Sequence, residues 1–515
     1  MAYKTFAAID IGSYELGMKI FEISSRKGLK EIDYIRHRIE LGTDSYFSGK
    51  ISFERVDELC RLLREFTAIM EGYKVDAYKA YGTSAIRETE NTLILLDQIR
   101  MRTGIQIDIL TNSEQRFLDY KSVASKGERF REIIDQGTAI VDIGGGSIQI
   151  SLFDNDTLVT TQNIRPGVLR MREELGKIQY QSKHLRDIAY ELVDDQLLNF
   201  KRMFMEGRNI KNIVLVDDYM SLILNNEKVA ASVQGTIEAD AYRQFSDSLN
   251  QKSSMQMAED LGIPEENASL LQLSAIVVRR ILDLLDAKQI WAPGVSLCDG
   301  IAYEYAEENQ LMKTTHNFEE DILASARNVN HRYMGSIERI QSREENALML
   351  FDTTRKINGL SKRDRLLLQI ACILSESGKY ISLSNVGDSS YSIIMATEVI
   401  GLSHIEREIV ANVVKYMYQP FEYYKILNNR TSLEQDVYLR IAKLTAIMRL
   451  ADSLNISNRN KRKTIKTTLH DNGLLIQVQT AEEYTLEYGQ FDAKASFFEE
   501  VFNVKPYMKW KKGNK

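Results

Sequence analysis

Proline and cysteine are scarce in this chain of 515 residues. Five prolines leave no room for long proline-rich linkers, so its domains are expected to touch directly. The three cysteines, Cys60, Cys298 and Cys372, lie far apart and form no CxxC pair, which excludes a disulfide framework. No apolar run reaches the roughly 20 residues that span a bilayer. The first residues, MAYKTFAAIDIG, lack the basic head and long apolar core of a signal peptide. A soluble protein of a reducing cytoplasm, with no membrane partner, is therefore expected. Excess positive charge is missing too: 66 Lys and Arg stand against 72 Asp and Glu, a net charge of −6. That argues against non-specific nucleic-acid binding, which depends on basic surface. What is present is ordinary globular chemistry, 44% hydrophobic and 27% charged, which excludes wholesale disorder.

The segment Tyr3 to Ile11 is apolar and β-branched, turns at Gly12-Ser13, and resumes as an apolar stretch from Tyr14 to Ile20. This pattern predicts a hairpin. Asp10 lies near the end of its first strand. Backbone amides at such a turn can face an anion, while Asp10 can hold a cation directly or through water. The plainer reading is a surface hairpin with one solvent-facing acid. The arrangement returns at Thr138, where TAIVDI ends in Asp142-Ile143, passes Gly144-Gly145-Gly146-Ser147 and re-enters as IQISLF. Three adjacent glycines cost backbone entropy. They also let main-chain amides approach a phosphate with no Cβ in the way. Two such hairpins suggest an internal duplication, with a ligand in the cleft between the halves.

Between the hairpins, strands and helices alternate. Ser52 to Glu71 has helical apolar spacing, Val75 to Ala80 reads as a strand, and Ile105 to Leu110 as another. Ser113 is placed to cap a helix running from about Glu114 to Ser125. That helix would project Glu114 and Arg116 from a strand end, where α/β proteins build their sites.

These stretches resemble the exopolyphosphatase and guanosine pentaphosphate phosphohydrolase (Ppx/GppA) family. The resemblance is carried by AIDIGSYELGMKI from Ala8, YGTSAIRETEN from Tyr81, NSEQRFLDY from Asn112, VDIGGGSIQISLF from Val141 and RPGVLRMREEL from Arg165. It continues more weakly through LLQIACILSESGKYIS from Leu367 and LTAIMRLADSLNIS from Leu444. The implied fold is α/β: a two-lobed actin-like (ribonuclease H-like, duplicated) ATPase fold, then an all-α HD-like domain and a small α+β segment. The implied boundaries are 1–127 and 128–310 for the lobes, 318–463 for a degenerate HD-like domain, and 464–515 for the last segment.

The resemblance also implies chemistry, the transfer of a terminal phosphoryl group to water with Mg²⁺. Asp142 would sit beside the metal and phosphates, with Asp10 opposite. The amides of Gly144, Gly145, Gly146 and Ser147 would bind phosphate oxygens, and Gly12 and Ser13 would do so from the other lobe. Arg87 would neutralise polyphosphate charge. Glu114 would orient or deprotonate the attacking water. Such a reaction needs charge stabilisation and an aligned water more than covalent help from the protein. The plainer reading of Glu114 is a first-turn acid stabilising the helix dipole, and that of Arg87 a salt bridge to Glu88 or Glu90.

Several positions depart from the family pattern. Tyr14-Glu15 replaces Asn-Ser in the first loop, so Tyr14 would wall the phosphate site and Glu15 would favour a cation. Gln149 stands where the second loop carries Glu, and an amide can neither carry charge nor act as a base. Glu15 is then the candidate to supply the missing carboxylate for the metal. Asp217-Asp218-Tyr219 replaces a Gly- and Thr-bearing loop, and Cys298-Asp299 replaces Arg-Glu in a closing segment.

The C-terminal third shows helical spacing over Phe318–Val329, Ser336–Thr354, Lys362–Ser375, Ser389–Gly401 and His404–Tyr418. The metal-binding His-Asp set of an HD-like domain is replaced by Ser375-Glu376, Asp388 and Met417, with Asp452 alone in place. A metal-free helical scaffold is expected, packed against the cleft or against a second copy in a homodimer. Arg459 to Lys463 forms a short basic run that could meet a long polyanion or be a solvated loop. Beyond it a hairpin around Asp471-Asn472-Gly473 and a last helix over Ala493–Phe502 are predicted. The function expected first is an exopolyphosphatase. The alternatives are a guanosine pentaphosphate phosphohydrolase and a catalytically weakened polyphosphate or nucleotide sensor.

Overall fold

A computed structural model describes residues 3–178, 184–225, 232–313, 316–427, 433–456, 463–470 and 473–512, without the side chains of 218, 219 and 222. Three sequence features fall partly outside the described residues: the side chains of Asp218 and Tyr219, positions 459–462 of the basic run, and Asp471-Asn472 at the last hairpin. The chain forms two compact units, Met1–Phe318 and Glu319–Lys515.

The first unit holds two sheets of matching design. One contains β1 (Lys4–Ile11), β2 (Glu15–Ser24), β3 (Gly28–Arg38), β4 (Ala77–Gly82) and β5 (Asp108–Ile109), in the order β3-β2-β1-β4-β5. The other contains β6 (Thr138–Ile143), β7 (Ile148–Asp154), β8 (Thr157–Ile164), β9 (Asn212–Val216), β10 (Thr236–Glu238) and β11 (Gln289–Trp291), in the order β10-β11-β9-β6-β7-β8. In each, three antiparallel strands are followed by a parallel neighbour, β4 beside β1 and β9 beside β6. The parallel strands are reached through helical crossovers, as their geometry requires. The hairpins match residue for residue. Their last paired residues are Ile11 with Leu16 and Ile143 with Ile148, and four residues make each turn. Gly12 N donates to Glu15 O at 2.9 Å, and Gly144 N donates to Ser147 O at 3.0 Å.

Both faces of the first sheet are covered, which is why β1 reads as a continuous apolar run. Ala7, Ile9 and Ile11 face one core with Leu59, Leu63 and Phe66 of the helix Phe53–Gly72. Phe6 and Ala8 face the other, against Leu118 of the helix Asn112–Ala124 and Ile301 of the helix Leu297–Glu308. Side chains alternate along a strand. Asp10 therefore belongs to the face of Phe6 and Ala8, toward the helix Asn112–Ala124. The same parity applies to β6. Ala139, Val141 and Ile143 enter the second half's core, and Asp142 takes the opposite face.

The two halves close on each other at the hairpin turns. Ser13 Oγ, Tyr46 Oη and Ser84 Oγ form a ring of hydroxyls, with pairwise distances of 2.6, 2.7 and 2.7 Å. The second turn presses on that ring. A Cβ at Gly146 would lie 2.3 Å from Tyr46 Oη and 2.7 Å from Ser84 Oγ, and one at Gly145 would lie 3.2 Å from Ser13 Cβ. Tyr14 reaches into the second half's core, and its hydroxyl donates to Asn267 Oδ1 at 2.5 Å. Glu88 pairs with Arg165 at 3.1 Å and with Arg170, whose guanidinium lies 3.7 Å from the centre of the Tyr46 ring.

The second unit is helical, apart from a small sheet ordered β12-β13-β14, of β12 (Lys463–His470), β13 (Gly473–Thr480) and β14 (Pro506–Lys512). The helix His404–Tyr418 has the bounds its spacing predicts. Two others differ. The helix expected over Ser389–Gly401 spans Val386–Ala396, and the last one begins at Thr485 rather than Ala493. In the interior of this unit lies Arg343, 2% exposed. It donates to Asp452 Oδ1 at 2.9 and 3.2 Å and to Ser375 Oγ at 2.6 Å, and lies 3.8 Å from Glu376. Arg339 and Lys379 also pair with Glu376, at 3.2 and 2.7 Å. Burial alone would raise the Asp452 carboxyl, but the charges of Arg343, Lys494 and Arg339 and the Arg343 hydrogen bond together outweigh it and hold Asp452 below the usual range.

Two outcomes are expected. Gly146→Ala should destabilise the chain by about 1–3 kcal/mol through overpacking, read as a lower urea midpoint. Arg343→Met leaves Asp452 buried without its main partner and removes one of three cations around Glu376, and should cost about 3–5 kcal/mol. Because Asp452 is depressed in the folded state, its contribution is present above its ordinary pKa of about 4 and lost as pH falls. The gap between parent and variant should therefore narrow in acid, as measured by urea unfolding across pH.

Candidate functional site

The second hairpin turn is oriented by the helix Val168–Gly176. Gly144 O accepts from Val168 N at 3.1 Å, Gly145 O from Leu169 N at 3.0 Å and Arg170 N at 3.2 Å, and Gly146 O from Gly167 N at 3.1 Å. A trans peptide points its N–H opposite to its C=O. The amides of Gly145, Gly146 and Ser147 are therefore turned away from that helix. The first turn is docked likewise, with Ser13 O accepting from Gly42 N at 2.7 Å and Tyr14 O from Ile39 N at 3.0 Å.

A cavity of about 180 Å³ opens between the turns. From the first hairpin it is lined by Asp10, Gly12, Ser13, Tyr14 and Glu15, and from the second by Asp142, Gly144, Gly145, Ser147 and Gln149. The structure thus brings together the two root aspartates and most of both turns. Gly146, Arg87 and Glu114 are not among the lining residues. Gly146 packs on Tyr46 and Ser84 instead. Arg87 donates to Leu110 O at 2.6 Å and Asn112 Oδ1 at 2.5 Å, tying the short helix Ser84–Glu88 to the start of the helix Asn112–Ala124.

Glu114 serves a cap. The helix begins at Asn112, and its N-cap is Thr111 rather than Ser113. Thr111 Oγ1 accepts from Glu114 N at 3.2 Å, and Glu114 Oε2 accepts from Thr111 N at 3.0 Å and Thr111 Oγ1 at 2.7 Å. This reciprocal capping box satisfies two amides that the helix start would leave open. The next residue, Gln115, lines the cavity, as does Asp119 one turn later. Asp119 is 4% exposed. Burial, then the neighbouring Asp142 and Asp10 carboxylates, push its pKa well above the ordinary range. Neither Gln115 nor Asp119 was singled out from the sequence. The signal was present in T-x-x-E, which marks a cap and shifts the cavity-facing stripe to 115 and 119.

Other groups adjust the charge. Glu15 lies 4.0 Å from Arg36. Burial raises the Tyr14 phenol to about 12, so it remains a neutral donor. Asp217 also lines the cavity, but its carboxylate caps the helix Asp218–Leu224 through Met220 N at 2.7 Å and accepts from Ser274 Oγ at 2.8 Å. Asp299 serves the scaffold, receiving Lys19 Nζ at 2.8 Å. A hard cation fits the donor set of carboxylate and amide oxygens. Among the described residues, Gln149 Oε1 and Asp119 Oδ2 are buried with no hydrogen-bond partner. No three acidic, His or Cys side chains among the described residues are gathered tightly enough to enclose a bare ion. An ion that keeps its waters is the form that fits.

Glu114→Ala is expected to cost about 0.5–2 kcal/mol of stability, as loss of a helix cap does. The check is the thermal midpoint of the variant beside that of Gln115→Ala, which leaves the cap intact and should shift it less.

Comparison with known proteins follows the same lines. The Ppx/GppA phosphatase family matches residues 20–309, and the Ppx/GppA phosphatase, domain III, matches residues 323–491. The chain is similar to a guanosine-5'-triphosphate,3'-diphosphate pyrophosphatase of Aliivibrio fischeri, 19% identical over 463 residues, covering 88% of this chain and 90% of that one. It is 22% identical over 259 residues to exopolyphosphatase 1 of Mycobacterium tuberculosis, covering 49% of this chain and 73% of that one. In fold it is similar to an exopolyphosphatase from Cytophaga hutchinsonii, with a TM-score of 0.53 at 18% identity, covering 61% of this chain and all of that one. The Aquifex aeolicus member of the Ppx/GppA family gives 0.51 at 17% identity, with the same coverage. With residues 20–309, more than half its length, matched by one family, the chain belongs to the Ppx/GppA phosphatase family.

Proposed function

We propose that this protein is an exopolyphosphatase, releasing the terminal phosphate of inorganic polyphosphate by attack of water, with Mg²⁺ as its cation. The observation that carries the reading is the pair of hairpins, alike in register and turn length, whose root aspartates, Asp10 and Asp142, line one cavity. The repeated strand order also supports an actin-like pair of lobes over 1–127 and 128–310. The helical region 318–463 is then a degenerate HD-like domain, with Arg343 among Ser375, Glu376 and Asp452 where a metal would stand. In the reaction, the amides of Gly145 and Ser147 would receive phosphate oxygens, with Ser13 facing them, since the Gly12 and Gly144 amides are taken within their own turns and Gly146 packs outside the cavity. Asp10 and Asp142 would hold the cation through its waters, and the cation would offset the phosphate charge that no Lys or Arg in the lining meets. Glu114 and Arg87 would act at one remove, by fixing the start of the helix that carries Gln115 and Asp119.

Guanosine pentaphosphate is the alternative substrate. Val216, Leu270 and Leu271 give the cavity an apolar wall against which a base can pack. The neutral side chains of Gln115 and Gln149 favour a third reading, a sensor that binds without efficient turnover. Phosphate release from long-chain polyphosphate and from guanosine pentaphosphate, each with Mg²⁺ and with EDTA, separates the three. Mg²⁺-dependent release from polyphosphate is expected. Faster release from guanosine pentaphosphate selects the alternative, and binding of either with no release selects the sensor.

A further inference from the structure

The cavity holds two carboxylates that the hairpins do not supply, Asp119 and Asp217, and that of Asp217 is engaged at a helix cap and by Ser274. The helix Asn112–Ala124 projects Gln115 and Asp119 from one face, since residues four apart lie one above the other. Glu114 is engaged at the cap, so the charge this helix delivers to the cavity is that of Asp119. Asp10 and Asp142 approach the same helix from two different sheets by strand parity. Three carboxylates meeting in a buried space repel one another, and a cation relieves that repulsion. An independent sign of a ligand lies beside them. Gln149 is 3% exposed, sits opposite Asp142 across the β6–β7 ladder and lines the cavity. Its Oε1 is buried with no hydrogen-bond partner among the described residues. Leaving such an oxygen unsatisfied costs about 1–3 kcal/mol, unless a ligand or its water donates to it.

We propose that Asp119 is the carboxylate that anchors a hydrated divalent cation in this cavity, together with Asp10, Asp142 and the amide oxygen of Gln149. The proposal rests on the cation-dependent reading above and assigns to Asp119 the part that the sequence suggested for Glu15. Arg36 lies 4.0 Å from Glu15 and offsets its charge; Asp119 has Arg116 beside it on the same helix, but it lines the cavity together with the two root aspartates. The ion keeps its waters because the acids do not close on one point. Mg²⁺ dehydrates reluctantly and commonly binds this way.

Mn²⁺ binding to the full chain without substrate, followed by electron paramagnetic resonance, tests this apart from any turnover. Asp119→Asn is expected to weaken Mn²⁺ about 10–100-fold, as loss of an outer-shell partner does. Glu15→Gln should stay near the parent, and Asp119→Glu, which keeps the charge, should lie nearer the parent than Asn does. Circular dichroism and urea midpoints establish that each variant is folded. Cobalt(III) hexaammine, which cannot exchange its ligands, should displace Mn²⁺ if waters mediate the contact. Unchanged affinity in folded Asp119→Asn, or a parent that binds no Mn²⁺ at millimolar concentration, overturns the proposal. Displacement failing with cobalt hexaammine overturns the hydrated form. If Mn²⁺ binding depends on Asp119 while neither polyphosphate nor guanosine pentaphosphate is cleaved, the cation site stands and the hydrolase reading falls.

Discussion

The site depends on how tightly one glycine turn is gripped. Three successive carbonyls, of Gly144, Gly145 and Gly146, are taken by the start of the helix Val168–Gly176, and the opposite surface of the turn meets the hydroxyls of Ser13, Tyr46 and Ser84. A Cβ at Gly146 would collide with the Tyr46 and Ser84 hydroxyls, and one at Gly144 or Gly145 would be tight. The same contact fixes the direction of the turn's amides, the spacing of the two halves and the distance across the cavity. The glycines thus answer two demands at once. The sequence suggested backbone access for an anion, and the structure adds close packing of one half on the other.

The duplicated hairpins were legible because everything that makes them is local. Strand periodicity, an acid at the strand end and a glycine turn all fall within a dozen residues. Gln149 was likewise visible as an amide in a position where charge is expected. Asp119 was not, because its role comes from three elements distant in sequence, two sheets and a helix wedged between their faces. Glu114 drew attention for its charge, yet its spacing from Thr111 already described a capping box. Charge type is a weaker guide than position within the helix turn.

The second unit shows the same limit. Ser375, Glu376 and Asp452 could be picked out singly, but the sequence gives no hint that Arg343 joins them, since its partners lie 32 and 109 residues away. A guanidinium suits such a place. It is permanently charged, and its planar fork can meet several oxygens at once. The helix expected over Ser389–Gly401 illustrates a smaller error. Its apolar residues were recognised, but the start lies at Val386, where Asn385 leads in, and the end at Ala396, ahead of Thr397 in extended conformation.

The two hairpins share a backbone but not a surface. Tyr14 of the first turn extends its ring into the opposite half, while the matching position of the second turn, Gly146, offers only main chain. The likeness of the two hairpins therefore stops at the backbone. The first turn carries the phenol of Tyr14 and the acid of Glu15 where the second has the bare main chain of Gly146 and the hydroxyl of Ser147. A ligand spanning the cavity would therefore meet different chemistry at the two turns.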